Sequence, residues 1–299
     1  MSDYIFGRVL TAMVTPFNED GSVNYGVAEK LASYLVDNGS DGIVVCGTTG
    51  ESPALEHEEK NELLKVIKSA VGNRGKIIMG TGSNSTTSAI ALTREAEKIG
   101  IDGSLQVVPY YNKPPQEGLY RHFGAIASAC PDVPIMLYNI PGRTGKNLES
   151  TTIAQLGEKF DNIVAVKEAS GNLEQAAQIN ALCGDDMLIY SGEDFLTLPM
   201  MTVGGVGVVS VASHLVGNDI QVMIRAYELG KNKLAQEIQQ KLHSIFKVLF
   251  CDTNPIPLKS ALQQLGWNVG GVRLPLSPIS EDHALEVKKV LQELDLLSR

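Results

Sequence analysis

Residues 163–172 read IVAVKEASGN. Ile163 to Val166 form an apolar, largely β-branched run without polar alternation, and a glycine turn follows at Gly171. Such a run suits a strand buried on both faces, as parallel sheets require. Lys167 ends it. Seven comparable runs surround this one: VLTAMVT (9–15), GIVVCG (42–47), KIIMG (76–80), SLQVV (104–108), PIMLYN (134–139), MLIYS (187–191) and GVVSV (207–211). Amphipathic stretches such as 24–39, 57–71 and 86–100 fall between them. The repeat of roughly 20–35 residues is what a strand, a loop and a crossover helix need.

Eight successive βα units predict an α/β protein built on a closed parallel (β/α)8 TIM barrel. A doubly wound open sheet uses the same alternation and stands as the alternative, although no GxGxxG opens a helix after the first strand. Beyond about residue 214 the pattern becomes helical, in 218–250 and again in 280–298, without a further strand signal. The expected organisation is a catalytic barrel over 1–230 with a C-terminal helical extension over 231–299.

The chain has 299 residues, 43% of them hydrophobic and 20% charged, which predicts a well-packed core. A net charge of −9 with no basic run argues against nucleic acid or an anionic membrane surface as partner. Residues 195–218 lack a formal charge, yet Pro199 and the glycine cluster VGGVGVV break them into a short helix, a turn and a strand rather than a membrane span. The N-terminus has no signal-peptide pattern, and Cys46, Cys130, Cys183 and Cys251 are widely spaced. Reduced thiols, a cytoplasmic setting and no metal site are the expectation.

In a (β/α)8 barrel, reacting groups sit at the C-terminal ends of the strands. Those ends read GTTGES (47–52), PYYNKPP (109–115), YNIPGRTG (138–145), KEASG (167–171) and SGED (191–194). Burying an amine in apolar surroundings penalises its charged form, and the neutral form attacks carbonyls to give a Schiff base. Lys167 is the candidate nucleophile; the competing reading is a strand-end lysine that snorkels to water. The glycine-flanked GTTG loop offers hydroxyls and backbone N–H groups to a carboxylate. Tyr111 and Tyr138 could relay protons with Thr49 as a bridge, or simply pack. Arg143, in a Pro-Gly turn, could grip a carboxylate in bidentate fashion, or form a weak surface ion pair.

GTTGES, PYYNKP, YNIPGRTG, VKEASGN and GGVGVVSV, taken in this order with AMVTPF, PIPLKSAL and VRLPLSPIS, resemble the dihydrodipicolinate synthase family. That family belongs to the pyruvate-dependent class I aldolase and N-acetylneuraminate lyase superfamily. The resemblance covers nearly the whole chain. It implies condensation of pyruvate with L-aspartate-4-semialdehyde on the way to diaminopimelate and lysine, without a cofactor. By motif position, Lys167 forms the Schiff base. Thr48 and Thr49 hold the pyruvate carboxylate, and Thr49, Tyr138 and Tyr111 form the proton relay. Arg143 receives the semialdehyde carboxylate, and Gly192 and Val209 line the pyruvate pocket. Tyr111 is implied to reach a neighbouring subunit's site, within a homotetramer made of two dimers. Sugar-acid aldolases of the same superfamily usually lack GRTG, and its lyases more often read GSTG.

Feedback inhibition by lysine, where the family has it, is implied to use Ser52, Leu55, His57, Asn84 and Tyr110, all of which match here. Sensitive enzymes carry a histidine at the position of Lys60 and a glutamate at that of Ser88. An added cation and a lost carboxylate both disfavour a ligand bearing two amines. Weak or absent lysine inhibition is the expectation; half-inhibition at sub-millimolar lysine in a steady-state assay would contradict it.

Overall fold

The computed structural model describes residues 4–297. Its strands are β1 (Val9–Ala12), β2 (Gly42–Val45), β3 (Lys76–Gly80), β4 (Gly103–Val107), β5 (Ile135–Asn139), β6 (Ile163–Glu168), β7 (Leu188–Ser191) and β8 (Gly205–Ser210). They follow one another in chain order around a closed barrel. An open, doubly wound sheet would have two edges and a reversal of strand order, so that alternative falls. The α-helices are α1 (Tyr25–Asp37), α2 (His57–Val71), α3 (Thr86–Ile99), α4 (Gln116–Ala129), α5 (Pro141–Thr144), α6 (Ser150–Lys159) and α7 (Leu173–Cys183). They continue with α8 (Thr197–Met201), α9 (Ser213–Glu228), α10 (Asn232–Lys241), α11 (His243–Val248), α12 (Ile256–Gln264) and α13 (Glu281–Glu293).

The chain forms two compact units. The first comprises Met1–Arg8 with Lys76–Val209 and therefore holds β3 to β8. Its strands pair in parallel, with Tyr138 opposite Lys167 and Lys167 opposite Tyr190. Leu137, Val166 and Ile189 point outward into one apolar cluster with Leu119, Phe123, Ile153, Leu156 and Ile179 of the surrounding helices. Successive side chains on a strand alternate between faces. Burying Val166 against the helices thus sends Lys167 to the other face of the sheet.

The second unit comprises Val9–Gly75 with Ser210–Arg299. β1 and β2 pair in parallel, Leu10 opposite Gly42. The stretch expected to be helical from Asn24 begins at Tyr25, because Asn24 is the cap: its side chain accepts the Val27 N–H at 3.0 Å. α2 starts with the Glu56 N–H donating to the Glu59 carboxylate at 2.9 Å, one half of a capping box. Helices α9 to α13 supply the helical C-terminal part, and the boundary expected near residue 230 falls in the turn between α9 and α10. No helix among the described residues is long and apolar enough to cross a membrane. Residues 195–218 contain α8, β8 and the start of α9.

Candidate active site

Within the first unit, β6 delivers a lysine to its C-terminal end. Lys167 is only 6% exposed, and its Nζ lies 4.3 Å from the centroid of the Tyr138 ring, which projects from the paired position on β5. Its amine makes no ion pair or hydrogen bond among the described residues. A snorkelling lysine would place its head in water; this one does not. The next residue, Glu168, points the opposite way and is buried too. Its carboxylate accepts from Asn139 Nδ2 at 3.0 Å, Gln175 Nε2 at 2.9 Å and the Ser170 N–H at 2.7 Å. That network ties the end of β6 to β5 and α7, fixing the strand that carries Lys167.

Arg143 lies in the last turn of α5, exposed, and its guanidinium has no protein partner among the described residues. The turn beneath it is held by the Thr144 hydroxyl, which donates to the carbonyls of Ile140 and Lys146. Gly192 follows β7, and a Cβ there would overlap the side chain of Ala169, so the backbone comes closer than any other residue would allow. Val209 is buried in β8. After β4, Tyr111 is 90% exposed with φ of 74°, and Lys113 has φ of 42°. A bulky residue in the left-handed region is a true outlier. Asn84 braces this segment by donating to the Tyr110 carbonyl at 3.2 Å, and Asn112 returns a bond to the Asn84 carbonyl at 2.9 Å.

Within the second unit, β2 leads into the loop Gly47–Ser52. Cys46 and Glu51 flank the four residues GTTG, each with φ of 54°. Thr48 is half-buried and its hydroxyl has no hydrogen bond among the described residues. Thr49 is buried, and its hydroxyl accepts from Asn254 Nδ2 at 2.9 Å. Glu51 is held from the C-terminal helices: Lys259 Nζ lies 2.6 Å from its carboxylate, and the Arg273 N–H donates to it at 2.9 Å. Arg273 also forks onto Glu59 at 2.6 and 2.7 Å and donates to the Ala54 carbonyl at 2.7 Å. Of the positions implied in lysine regulation, Ser52 opens a short helical turn, Leu55 is buried, and His57 begins α2 with Asn61 beside it at 3.4 Å. Cys251, between α11 and α12, and His283 and Glu286 of α13 bring their donor atoms within 4.8 Å of one another. His283 Nδ1 lies 3.5 Å from the Asp252 carboxylate.

Sequence reading missed Glu51, Asn254, Lys259, Arg273 and the Glu168 network. PIPLKSAL and VRLPLSPIS were visible as family markers, but nothing local tells that they and the neighbouring Asn254 pack on the GTTG loop.

Residues 5–294 match the model of the dihydrodipicolinate synthetase family. A 4-hydroxy-tetrahydrodipicolinate synthase of Microcystis aeruginosa is 63% identical over 98% of both chains. One from Synechocystis is 58% identical over 99% of this chain and 100% of its own. Among solved structures, a dihydrodipicolinate synthase from Cyanidioschyzon merolae with lysine bound superposes with a TM-score of 0.97 at 52% identity, covering 98% of this chain and 100% of that one. A Bacillus anthracis dihydrodipicolinate synthase gives 0.93 at 47% identity, covering 96% and 98%. The chain belongs to the dihydrodipicolinate synthetase family.

Proposed function

We propose that this chain works as a 4-hydroxy-tetrahydrodipicolinate synthase, the activity its relatives are named for, and that it condenses pyruvate with L-aspartate-4-semialdehyde through a Schiff base on Lys167. The observation that carries the reading is a buried amine with no counter-ion among the described residues, set over the face of Tyr138. The neutral Nζ attacks C2 of pyruvate, and loss of water leaves an imine. Loss of a methyl proton turns the imine into an enamine, whose carbon adds to the semialdehyde's carbonyl carbon. The semialdehyde amine then displaces Lys167, closing the ring and freeing the enzyme.

Thr48 and Thr49 are proposed to hold the pyruvate carboxylate, with Gly192 and Val209 walling the pocket. Tyr138 and Tyr111 move protons together with a GTTG hydroxyl. The sequence suggested Thr49 for that step, but its hydroxyl is fixed by Asn254, which suits a constant anion contact. The unengaged hydroxyl of Thr48 is better able to turn between partners, and we assign the relay to it. Arg143, exposed and without a partner among the described residues, is proposed to take the semialdehyde carboxylate. The exposure and backbone strain of Tyr111 support a role beyond its own subunit. We propose a homodimer in which each Tyr111 completes the other's site, paired into a tetramer.

Turnover with pyruvate and aspartate semialdehyde, set against cleavage of N-acetylneuraminate, tests the substrate class. Activity confined to the first pair is expected. Arg143→Ala should lower kcat/KM for the semialdehyde by roughly 10²-fold, the scale of a charge-assisted bidentate contact. Undiminished kcat/KM would refute its role.

A further inference from the structure

We infer that Asn254 is a positioning residue for the reaction: its side-chain amide turns the Thr49 hydroxyl so that the proton of that hydroxyl points at the substrate carboxylate. The inference rests on the reading of GTTG as the carboxylate-binding loop.

A hydroxyl has one proton and two lone pairs. Asn254 Nδ2 donates to the Thr49 oxygen at 2.9 Å, occupying a lone pair. Among the described residues this is the only hydrogen bond of that hydroxyl. Its proton is therefore left for an acceptor outside the protein. An accepted bond also polarises the O–H, strengthening what it gives away. Asn254 is 7% exposed and Thr49 3% exposed, so water does not compete freely for either group. The amide oxygen of Asn254 is buried without a partner among the described residues, so the residue acts through its N–H alone.

The pair is held rigidly from both sides. Two residues after Thr49, Glu51 is buried against the Lys259 ammonium at 2.6 Å and takes the Arg273 N–H at 2.9 Å. Five residues after Asn254, that same Lys259 also donates to the Gly271 carbonyl at 2.7 Å. Lys259 and Arg273 both lie over the Phe17 ring, at 4.1 and 4.5 Å. Positioning groups need placement within about 0.5 Å, and a loop flanked by left-handed Cys46 and Glu51 would not supply that unaided. Segment 254–273 is thus the scaffold of the carboxylate loop.

A double-mutant cycle tests this. Asn254→Ala should raise the KM for pyruvate about five- to ten-fold, the scale of one lost hydrogen bond, while kcat at saturating pyruvate stays within about two-fold. In a Thr49→Val background, Asn254→Ala should add nothing. Additive effects on KM, or a fall in kcat with KM unchanged, would overturn the inference. If thermal melting shows that the alanine variant does not fold, the same cycle is run with Asn254→Asp, which keeps the shape and replaces the donor by an acceptor. An unchanged KM in Asn254→Asp would likewise overturn it. Borohydride trapping of pyruvate on wild-type Lys167 separates the two claims. Without an adduct the Schiff-base reading fails; with an adduct and additive KM effects, only the role of Asn254 fails.

Discussion

His214 is fully enclosed at the start of α9, and both ring nitrogens are engaged. Nδ1 donates to the Val211 carbonyl at 2.8 Å, and Nε2 accepts the Val14 N–H at 3.2 Å. A second ring proton would face the Val14 N–H, donor against donor. Burial accordingly pushes the imidazole down to about 4. In the unfolded chain a histidine titrates near 6.5, so on acidification the unfolded state takes up its proton first. The stability held in a neutral His214 is present above pH 6.5 and drains away between about 6.5 and 4, by roughly 2 kcal/mol at pH 5. His122, buried and also lowered to about 4, acts in the same direction. His214→Gln should shrink the drop in Tm between pH 7 and pH 5 relative to wild type; an unchanged drop would show that the titration lies elsewhere. Residues differ in how far sequence reveals them. Lys167 was legible because a charge ends a buried strand pattern and the other strand ends carry the hydroxyl, phenol and guanidinium groups that suit a reacting amine. Asn254 was not, because its partner Thr49 is 205 positions away and an asparagine beside a proline reads simply as a turn.

At the scale of elements, the buried ion pair Lys259–Glu51 binds α12 to the loop after β2. Burial lowers the Lys259 amine to about 8, with the Glu51 carboxylate opposing that shift. Removing one partner of a buried pair strands the other in a medium that cannot solvate it, at a cost of about 3–5 kcal/mol. Lys259→Met should lose that much in urea unfolding, and adding Glu51→Gln should recover part of it. A loss below about 1 kcal/mol would mean water reaches the site. The strands themselves were legible, since each buried run is β-branched and bounded by turn residues. Their ends were less so. β8 starts at Gly205, two residues before the run read from sequence, and within it a Cβ at Gly207 would overlap the Arg8 carbonyl. The sequence shows a glycine, but the neighbour that demands it comes from the other end of the chain.

For the whole molecule, eight repeats of one pattern made the barrel readable, whereas assembly leaves only indirect marks such as the strained, exposed Tyr111. Sedimentation velocity should find a tetramer that dissociates to dimers before activity is lost. A fully active monomer would remove Tyr111 from the relay. Covalent joining of Lys167 to C2 of pyruvate does not depend on assembly. Incubation with pyruvate and borohydride, followed by peptide mass spectrometry, reads this directly. A reduced pyruvyl adduct is expected on the peptide containing Lys167, with activity lost in proportion and no adduct in Lys167→Ala. An unmodified Lys167 peptide, or an adduct on another lysine, would contradict the account.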